Sequence, residues 1–287
     1  MSASEFGARL DRAGESARAL LGNGAALAGL IIVAALVIMA ALAGLLAPAD
    51  PNLQDLAHRL APPEARHWLG SDELGRDILS RILYGSRVTL EVVALIAILV
   101  PPAGLIAGCL AGFYGGIVDA VLMRVADVFL ALPRLILALA LVAAMGPGIV
   151  HAVLAIALAA WPPYARLARA ETMAIRGRDF IAAARLAGAS RTRLLLRHIA
   201  PLCLPSLLVR ASLDMSGVIL TAAGLGFLGL GAQPPTAEWG AMIAAGRRFM
   251  LDEWWVAAAP GIAIAIAALG FNLLGEGLRD LLDPRQR

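Results

Sequence analysis

YARLARAETMAIRGRDFIAAARLAGASRTRLLLRHIAP, residues 164–201, is the one long, strongly basic, helix-patterned stretch in an otherwise apolar chain. It carries Arg166, Arg169, Arg176, Arg178, Arg185, Arg191, Arg193 and Arg197, against only Glu171 and Asp179. Apolar runs lie on both sides of it, and about 20 apolar residues in a helix suffice to cross a bilayer. Within the stretch, Asp179 to Ala187 reads as a short helix. Gly188 can stop that helix in a left-handed conformation, and Ser190 can cap a second helix running through Arg197 and ending near Pro201. Such a helix–Gly–helix hairpin, with small residues on its first arm, fits a groove on another protein. The same arginines equally suit an interfacial helix pair against lipid head groups, so both readings stand at this point.

Composition places the stretch in a membrane protein. Of 287 residues, 60% are hydrophobic and 16% charged, well below the roughly 25% charged residues of a soluble domain, and the mean hydropathy is +0.79. Ala, Leu, Ile, Val and Gly supply the apolarity, the composition of close-packed membrane helices. All 24 basic residues are Arg, since the chain has no Lys. A Walker A loop needs a Lys to reach the nucleotide phosphates, so ATP hydrolysis of that type must come from a partner. The arginines flank apolar spans, so the net charge of +3 carries no nucleic-acid signature. Cys109 and Cys203 are far apart and two soft ligands are too few for a metal site. The four histidines are scattered.

Working outward, residues 1–22 pattern as an amphipathic helix on the membrane surface, with Phe6, Leu10, Ala13 and Ala17 on one face; a disordered basic tail is the rival. Residues 24–47 form the first span, too long for the apolar part of a secretory signal. Residues 48–87 form a polar excursion. Ser71 reads there as the cap of a short amphipathic helix whose first turn holds Asp72 and Glu73. Further spans are expected at Val88 to about Gly112, Val128 to Met145, Ile149 to about Trp161, Leu207 to Leu230 and Val256 to about Leu274. Pro101 and Pro102 interrupt the second and Pro162 and Pro163 end the fourth. Gly104, Gly108 and Gly112 make two small-xxx-small steps that admit a close neighbour. The expected organisation is therefore an all-α polytopic membrane protein with six transmembrane helices. Residues 88–277 form its main transmembrane domain, with the loop 165–204 inside it, and residues 278–287 form a tail. Arginine-rich segments stay inside, so both termini and the hairpin are cytoplasmic, while 48–87 and 232–255 face outward.

Two features invite chemistry. Gly224, Gly226 and Gly229 match G-x-G-x-x-G, but at the end of an apolar span with no strand before it, which favours a flexible or close-packed helix end. Asp214 lies inside the fifth span, and an intramembrane acid is a functional candidate by default. Arg210, four residues before it, suggests a local pair. Arg134 sits unusually deep after Pro133. No Ser/His/Asp set or paired carboxylates emerge, so an enzyme reading has no residues to rest on.

The hairpin resembles the EAA loop of ABC importer permeases, whose pattern is E-A-A, three residues, Gly, nine residues, then I-x-L-P. Ala182, Ala183, Ala184, Gly188 and Pro201 fall at matching positions, while Ala182 replaces the Glu, and His198 and Ala200 replace the Ile and Leu. LGSDELGRDILSRILYGSR (69–87), GFYGGIVDAVLMRVADVFLALPRLILA (112–138), GFLGLGAQPPTAEWGAMI (226–243) and PGIAIAIAALGFNLLGEGLRDLLDPR (260–285) resemble the C-type permease subunit of the dipeptide/oligopeptide/nickel family. The resemblance implies a bacterial inner-membrane importer. This chain would pair with a second, homologous permease, and two cytoplasmic ATPase subunits would dock on the loops. An extracytoplasmic solute-binding protein would deliver peptides or related solutes. ATP and Mg would be bound by the ATPases, leaving this chain without a cofactor. The coupling residues it implies are Asp179, Phe180, Ala182, Ala183, Ala184, Arg185, Gly188, Ala189 and Pro201. ABC import of a nickel chelate or another small solute is the first alternative. An ion-coupled secondary transporter is a more distant one; six spans, no internal repeat and few intramembrane acids speak against it.

Overall fold

The computed structural model describes residues 23–282. The surface helix expected within 1–22 and the last tail residues, 283–287, lie outside the described residues. Eleven α-helices follow in order: α1 (Gly24–Ala41), α2 (Ala43–Leu46), α3 (Ile78–Tyr114), α4 (Gly116–Leu130), α5 (Arg134–Met145), α6 (Ile149–Arg176), α7 (Asp179–Leu186), α8 (Arg191–Arg193), α9 (Ala200–Phe227), α10 (Trp239–Gly246) and α11 (Trp255–Leu282). Five helices are long and apolar enough to cross a membrane; α4 and α5, joined at a 91° bend, make a sixth span if taken as one. The expected all-helical membrane architecture is thus what the described residues adopt, with one span broken.

Two expectations about prolines fail for one reason. Pro101 and Pro102 lie inside α3, and Pro162 and Pro163 inside α6, without ending either helix. Packed membrane helices tolerate proline because neighbours and local adjustments satisfy the freed backbone groups. The consequence is that α6 is one rod from the turn at Gly148 to the hairpin.

Close packing organises the bundle. Gly104, Gly108 and Gly112 of α3 lie against Tyr164, Ala165, Ala168, Arg169 and Thr172 of α6, so that a Cβ on Gly108 would stand 2.2 Å from the Ala165 carbonyl oxygen. The small-xxx-small steps are therefore the α3–α6 seam, as their spacing implied. Helix α1 is capped at its start by Asn23, which accepts from the N–H groups of Ala25 and Ala26. At its end Arg87 Nε donates to the Ala40 carbonyl at 2.6 Å, where a cation suits the helix dipole. The buried core runs through the middle of the bundle, with Ile96, Ile156, Tyr164, Ile199, Leu207 and Ile219 almost without exposure.

At the end of the bundle away from the hairpin, residues 48–77 fold as a compact loop. Ser71 does not cap a helix. Its hydroxyl donates to the His58 carbonyl and accepts from the Ala61 N–H. Residues 72–76 form a tight turn instead, because Gly75 is left-handed at φ +72° and Asp72 Oδ1 accepts from the N–H groups of Leu74 and Arg76. The helix then starts at Ile78, capped by Asp77, whose carboxylate accepts from Ser80 N–H at 2.7 Å and from the buried His67 ring at 3.0 Å.

Candidate functional site

The basic segment splits into two parts that do different work. Arg166, Arg169 and Arg176 all lie on α6 and are spent within the chain. Arg169 forks onto both oxygens of Asp119, with Nη2 to Oδ2 at 2.6 Å. Arg166 pairs with Asp127 at 2.6 Å, and Arg176 donates to the Gly112 carbonyl at 2.7 Å. These bonds tie α6 to α4 and to the end of α3. Of the eight arginines expected to serve docking, five, Arg178, Arg185, Arg191, Arg193 and Arg197, are exposed with no ion pair or side-chain hydrogen bond among the described residues.

Those five decorate a hairpin. Helix α7 stops at Gly188, left-handed at φ +83°, in a Schellman arrangement: Gly188 N–H donates to Arg185 O at 3.0 Å and Ala189 N–H to Ala184 O at 3.1 Å. Those bonds satisfy carbonyls that the helix end would otherwise leave unpaired. Ser190 caps α8 through Arg193 N–H at 3.3 Å. Ile181, Leu194 and Ile199 turn inward and are buried, while Phe180 is 43% and Leu186 91% exposed. Asp179, Ala182, Ala183 and Arg185 are exposed alongside, with Ala184 and Ala189 half-buried at the turn.

The second arm does not end at Pro201. It continues through a widened π-helical stretch, Leu194–Ile199, directly into α9, where Pro201 is exposed near the start. Proline has no N–H to give to the carbonyl four residues back, and the wider turn upstream absorbs that mismatch without breaking the rod.

Deeper in the bundle a second group of polar side chains meets. Arg134, first residue of α5 after the 91° bend, donates through Nη1 to Asp214 Oδ1 of α9 at 2.9 Å. The Tyr164 hydroxyl of α6 donates to Asp214 Oδ2 at 3.3 Å. The local Arg210–Asp214 pair expected from spacing is replaced by this cross-helix one, because α5 brings a guanidinium to the carboxylate. Arg134 and Asp214 were each conspicuous as a lone charge inside an apolar run; each needing a partner was the available signal. Tyr164 gave none.

The glycine motif is a packing site. A Cβ at Gly226 would lie 1.9 Å from Glu238 Oε2, so a phosphate has no room there. Glu238 is buried and caps α10 by accepting from the N–H groups of Gly240 and Ala241, both at 2.8 Å. Burial pushes its carboxyl above the usual value, against the pull of those two donors. The two cysteines, distant in sequence, both lie free and buried beside Thr172, whose hydroxyl donates to Cys109 Sγ at 3.3 Å.

With this geometry in hand, residues 104–287 match the family described as binding-protein-dependent transport system inner membrane component. The chain belongs to that family. Residues 13–63 further match the N-terminal transmembrane domain of oligopeptide transport permease C. The permease is 48% identical to the probable D,D-dipeptide transport system permease protein DdpC of Escherichia coli K12, over 89% of this chain and 86% of that protein. It is 45% identical to the di/tripeptide transport system permease protein DppC of Pseudomonas aeruginosa UCBPP-PA14, over 92% and 89%. It is 44% identical to the nickel transport system permease protein NikC of Escherichia coli K12, over 89% and 92%. Its fold is similar to a chain of the MetNI methionine ABC transporter in an inward-facing form, with a TM-score of 0.55 at 18% identity over 70% of this chain and 96% of that one. The permease is thus a multi-pass inner-membrane component of an ABC-type transport complex, and its family works with ATPase and binding-protein partners.

Proposed function

We propose that this permease forms, with a second homologous permease, the pathway for peptides handed over by an extracytoplasmic binding protein. The hairpin Asp179–Ile199 is the element that two cytoplasmic ATPases, carrying the ATP and Mg, hold and move. The observation that carries this reading is the hairpin itself. It is stopped by a Schellman turn, anchored by Ile181, Leu194 and Ile199, and it offers Leu186 at 91% exposure among five free arginines. An exposed leucine of that degree, with Phe180 and Leu196 also exposed on the hairpin and small Ala182 and Ala183 beside it, is an apolar anchor for a groove on a partner. The missing Glu at Ala182 shifts the grip toward apolar contact. The arginine-rich hairpin sits on the cytoplasmic side, which puts both termini there and turns the 48–77 loop outward, with Trp68 and Trp254 at the far boundary.

The switch is a population shift: ATPase closure binds one hairpin position better than the other, and the bundle follows. The test is a reconstituted complex with its second permease, ATPases and binding protein. Leu186→Glu and Gly188→Val should each cut binding-protein-stimulated ATP hydrolysis more than about tenfold, the scale of an interface anchor worth at least 1.4 kcal/mol. The second permease should still co-purify. Normal stimulated hydrolysis in both variants would refute the docking role. The near-equal similarity to the nickel permease NikC keeps a nickel chelate as a second solute class; the ligand captured by the cognate binding protein decides between them.

A further inference from the structure

One face of α9 is unlike its others. Arg210, Asp214, Gly217, Thr221 and Gly224 follow at spacings of four, three, four and three, which aligns them in a single stripe along the helix. The exposed leucines of α9, Leu202, Leu204, Leu208 and Leu220, lie off that stripe. A lipid-facing stripe would carry such leucines; a polar and small one faces protein or water. At its centre stands the Arg134–Asp214 pair, whose side chains keep 27% and 16% of their exposure. It lies more than three turns from either end of α9.

The charges there do not balance. Arg134 and Arg210 carry two positive charges and Asp214 one negative. Asp214 is used up, one oxygen on Arg134 and the other on Tyr164. Arg134 is not. Its Nε and Nη2 are buried and make no hydrogen bond among the described residues. Arg210, one turn away, is exposed and in no ion pair among the described residues. A purely structural pair needs neither the second arginine nor two spare donors. Those two donors lie below the surface, so the group an arriving anion meets first is the exposed Arg210, with the partly exposed Arg134 beside it; a guanidinium matches a carboxylate or similar oxyanion by a two-point fork. The bend before Arg134 fits the same picture, since irregular backbone at membrane depth is stable only inside protein or beside a watery cavity.

We infer that Arg134 and Arg210, with Asp214 orienting Arg134, form an anion-receiving station on the wall of the transport pathway, and that the anion is a carboxylate of the passing solute. The inference rests on the reading of the chain as a solute permease. Asp214 competes for the same guanidinium, so the station holds its anion weakly. That suits a pathway, where a solute must leave as readily as it enters.

The test places a cysteine at the station in the assembled transporter. A Cβ at Gly217 would sit in ordinary contact, 3.9 Å from Arg134 Nη1 and 4.0 Å from Asp214 Oδ1, so Gly217→Cys fits; Thr221→Cys, one turn on, is the second reporter. The native Cys109 and Cys203 are buried and provide the background. Each variant is treated with an anionic sulfonatoethyl and with a cationic trimethylammonioethyl methanethiosulfonate. The anionic reagent should react faster, and adding Arg134→Gln should lower the anionic-to-cationic rate ratio about tenfold or more, as loss of a nearby charge requires. Excess alanyl-alanine should slow labelling and alanyl-alanine amide should not. No labelling at either position, or a ratio indifferent to Arg134→Gln, would overturn the station. Equal protection, or equal lack of it, by the two dipeptides would overturn the carboxylate. Labelling does not require transport. A charge preference in a complex that imports nothing would therefore refute the permease reading alone, and import without the preference would refute the station alone.

Discussion

Gly108→Ala adds one methyl group to the tightest seam in the bundle, and its cost follows from the distances. The new Cβ would lie 2.2 Å from Ala165 O, 2.6 Å from Ala168 Cβ and 2.8 Å from Arg169 N. Two of those three atoms are backbone of α6 and the third is a Cβ fixed to it, so no rotamer change relieves the clash. Carbon–heavy-atom contacts settle near about 3.5 Å, so α6 must retreat from α3 by roughly 1 Å. That retreat strains the Arg176 bond to Gly112 O and the Thr172 contact with Cys109, both of which bridge the same two helices. Overpacking of this kind costs about 1–3 kcal/mol, and the backbone location puts Gly108→Ala toward the upper end. Gly177→Ala is the control: nothing lies within 4 Å of its Cβ position, and its φ of −88° suits any residue. It should be neutral or stabilise by up to about 1 kcal/mol. Titrating the purified permease from mild micelles into dodecyl sulfate, followed by helical circular dichroism, gives both differences. A Gly108→Ala loss below about 0.5 kcal/mol, within the range of an ordinary surface substitution, would mean that α3 and α6 do not meet in this register.

Gly226→Ala should cost about 1–3 kcal/mol, because its methyl would displace the buried Glu238 carboxylate from the start of α10 and leave it without its donors; faster hydrogen exchange of the Gly240 and Ala241 amides would locate the damage. Glu238 itself should make stability pH-dependent. Its folded carboxyl titrates above the unfolded value of 4.5, so stability is greatest below that value and declines as pH rises through the raised folded one. Glu238→Gln should abolish that slope in a pH series of unfolding midpoints. Asp77→Ala should cost about 2–3 kcal/mol, since it removes the α3 cap and also strands the buried His67; the change should appear first as proteolysis within residues 48–77, and an unchanged cleavage rate would contradict the cap.

How much was legible beforehand varies with the range of the interaction involved. The hairpin turn was readable because Gly188 and Ser190 act on their own neighbours: a left-handed stop and a hydroxyl cap are local chemistry. The Gly104–Gly108–Gly112 seam was readable because helical spacing alone puts the three on one face. The end of the second arm was misread because Pro201 is a local breaker only when the helix cannot widen, and the π-helical stretch before it does. Ser71 was misread because Asp72 and Glu73 looked like a first helical turn, while Gly75, pressed against the Asp55 backbone, forces a reversal instead. The Arg210–Asp214 expectation failed for the opposite reason. Spacing along one helix says nothing about a competitor arriving from another, and Arg134 comes from 80 residues away.

The hairpin and the Arg134–Asp214–Tyr164 group share two helices, α6 and α9. Both rods start at the hairpin, and both carry a member of the Arg134–Asp214–Tyr164 group in their middles. Tyr164 lies 12 residues from Arg176, about 18 Å along α6, and Asp214 lies 14 residues from Ala200, about 21 Å along α9. A hairpin displaced so as to tilt one rod by about 10° relative to the other shifts their facing side chains by roughly 3 Å at that distance. The Tyr164–Asp214 bond is already long at 3.3 Å, past the roughly 2.5–3.0 Å of ordinary O–H···O bonds, so a shift of that size breaks it and relaxes the hold of Asp214 on Arg134. Freed of its carboxylate, Arg134 becomes a stronger anion partner; restrained by it, a weaker one. The bent α4–α5 pair, tied to α6 through Asp119 and Asp127, moves the Arg134 side of the same group. In the proposed reading, the position of the hairpin would thereby set the affinity of the proposed station for its anion, which is the coupling an ATP-driven importer has to build from helices alone.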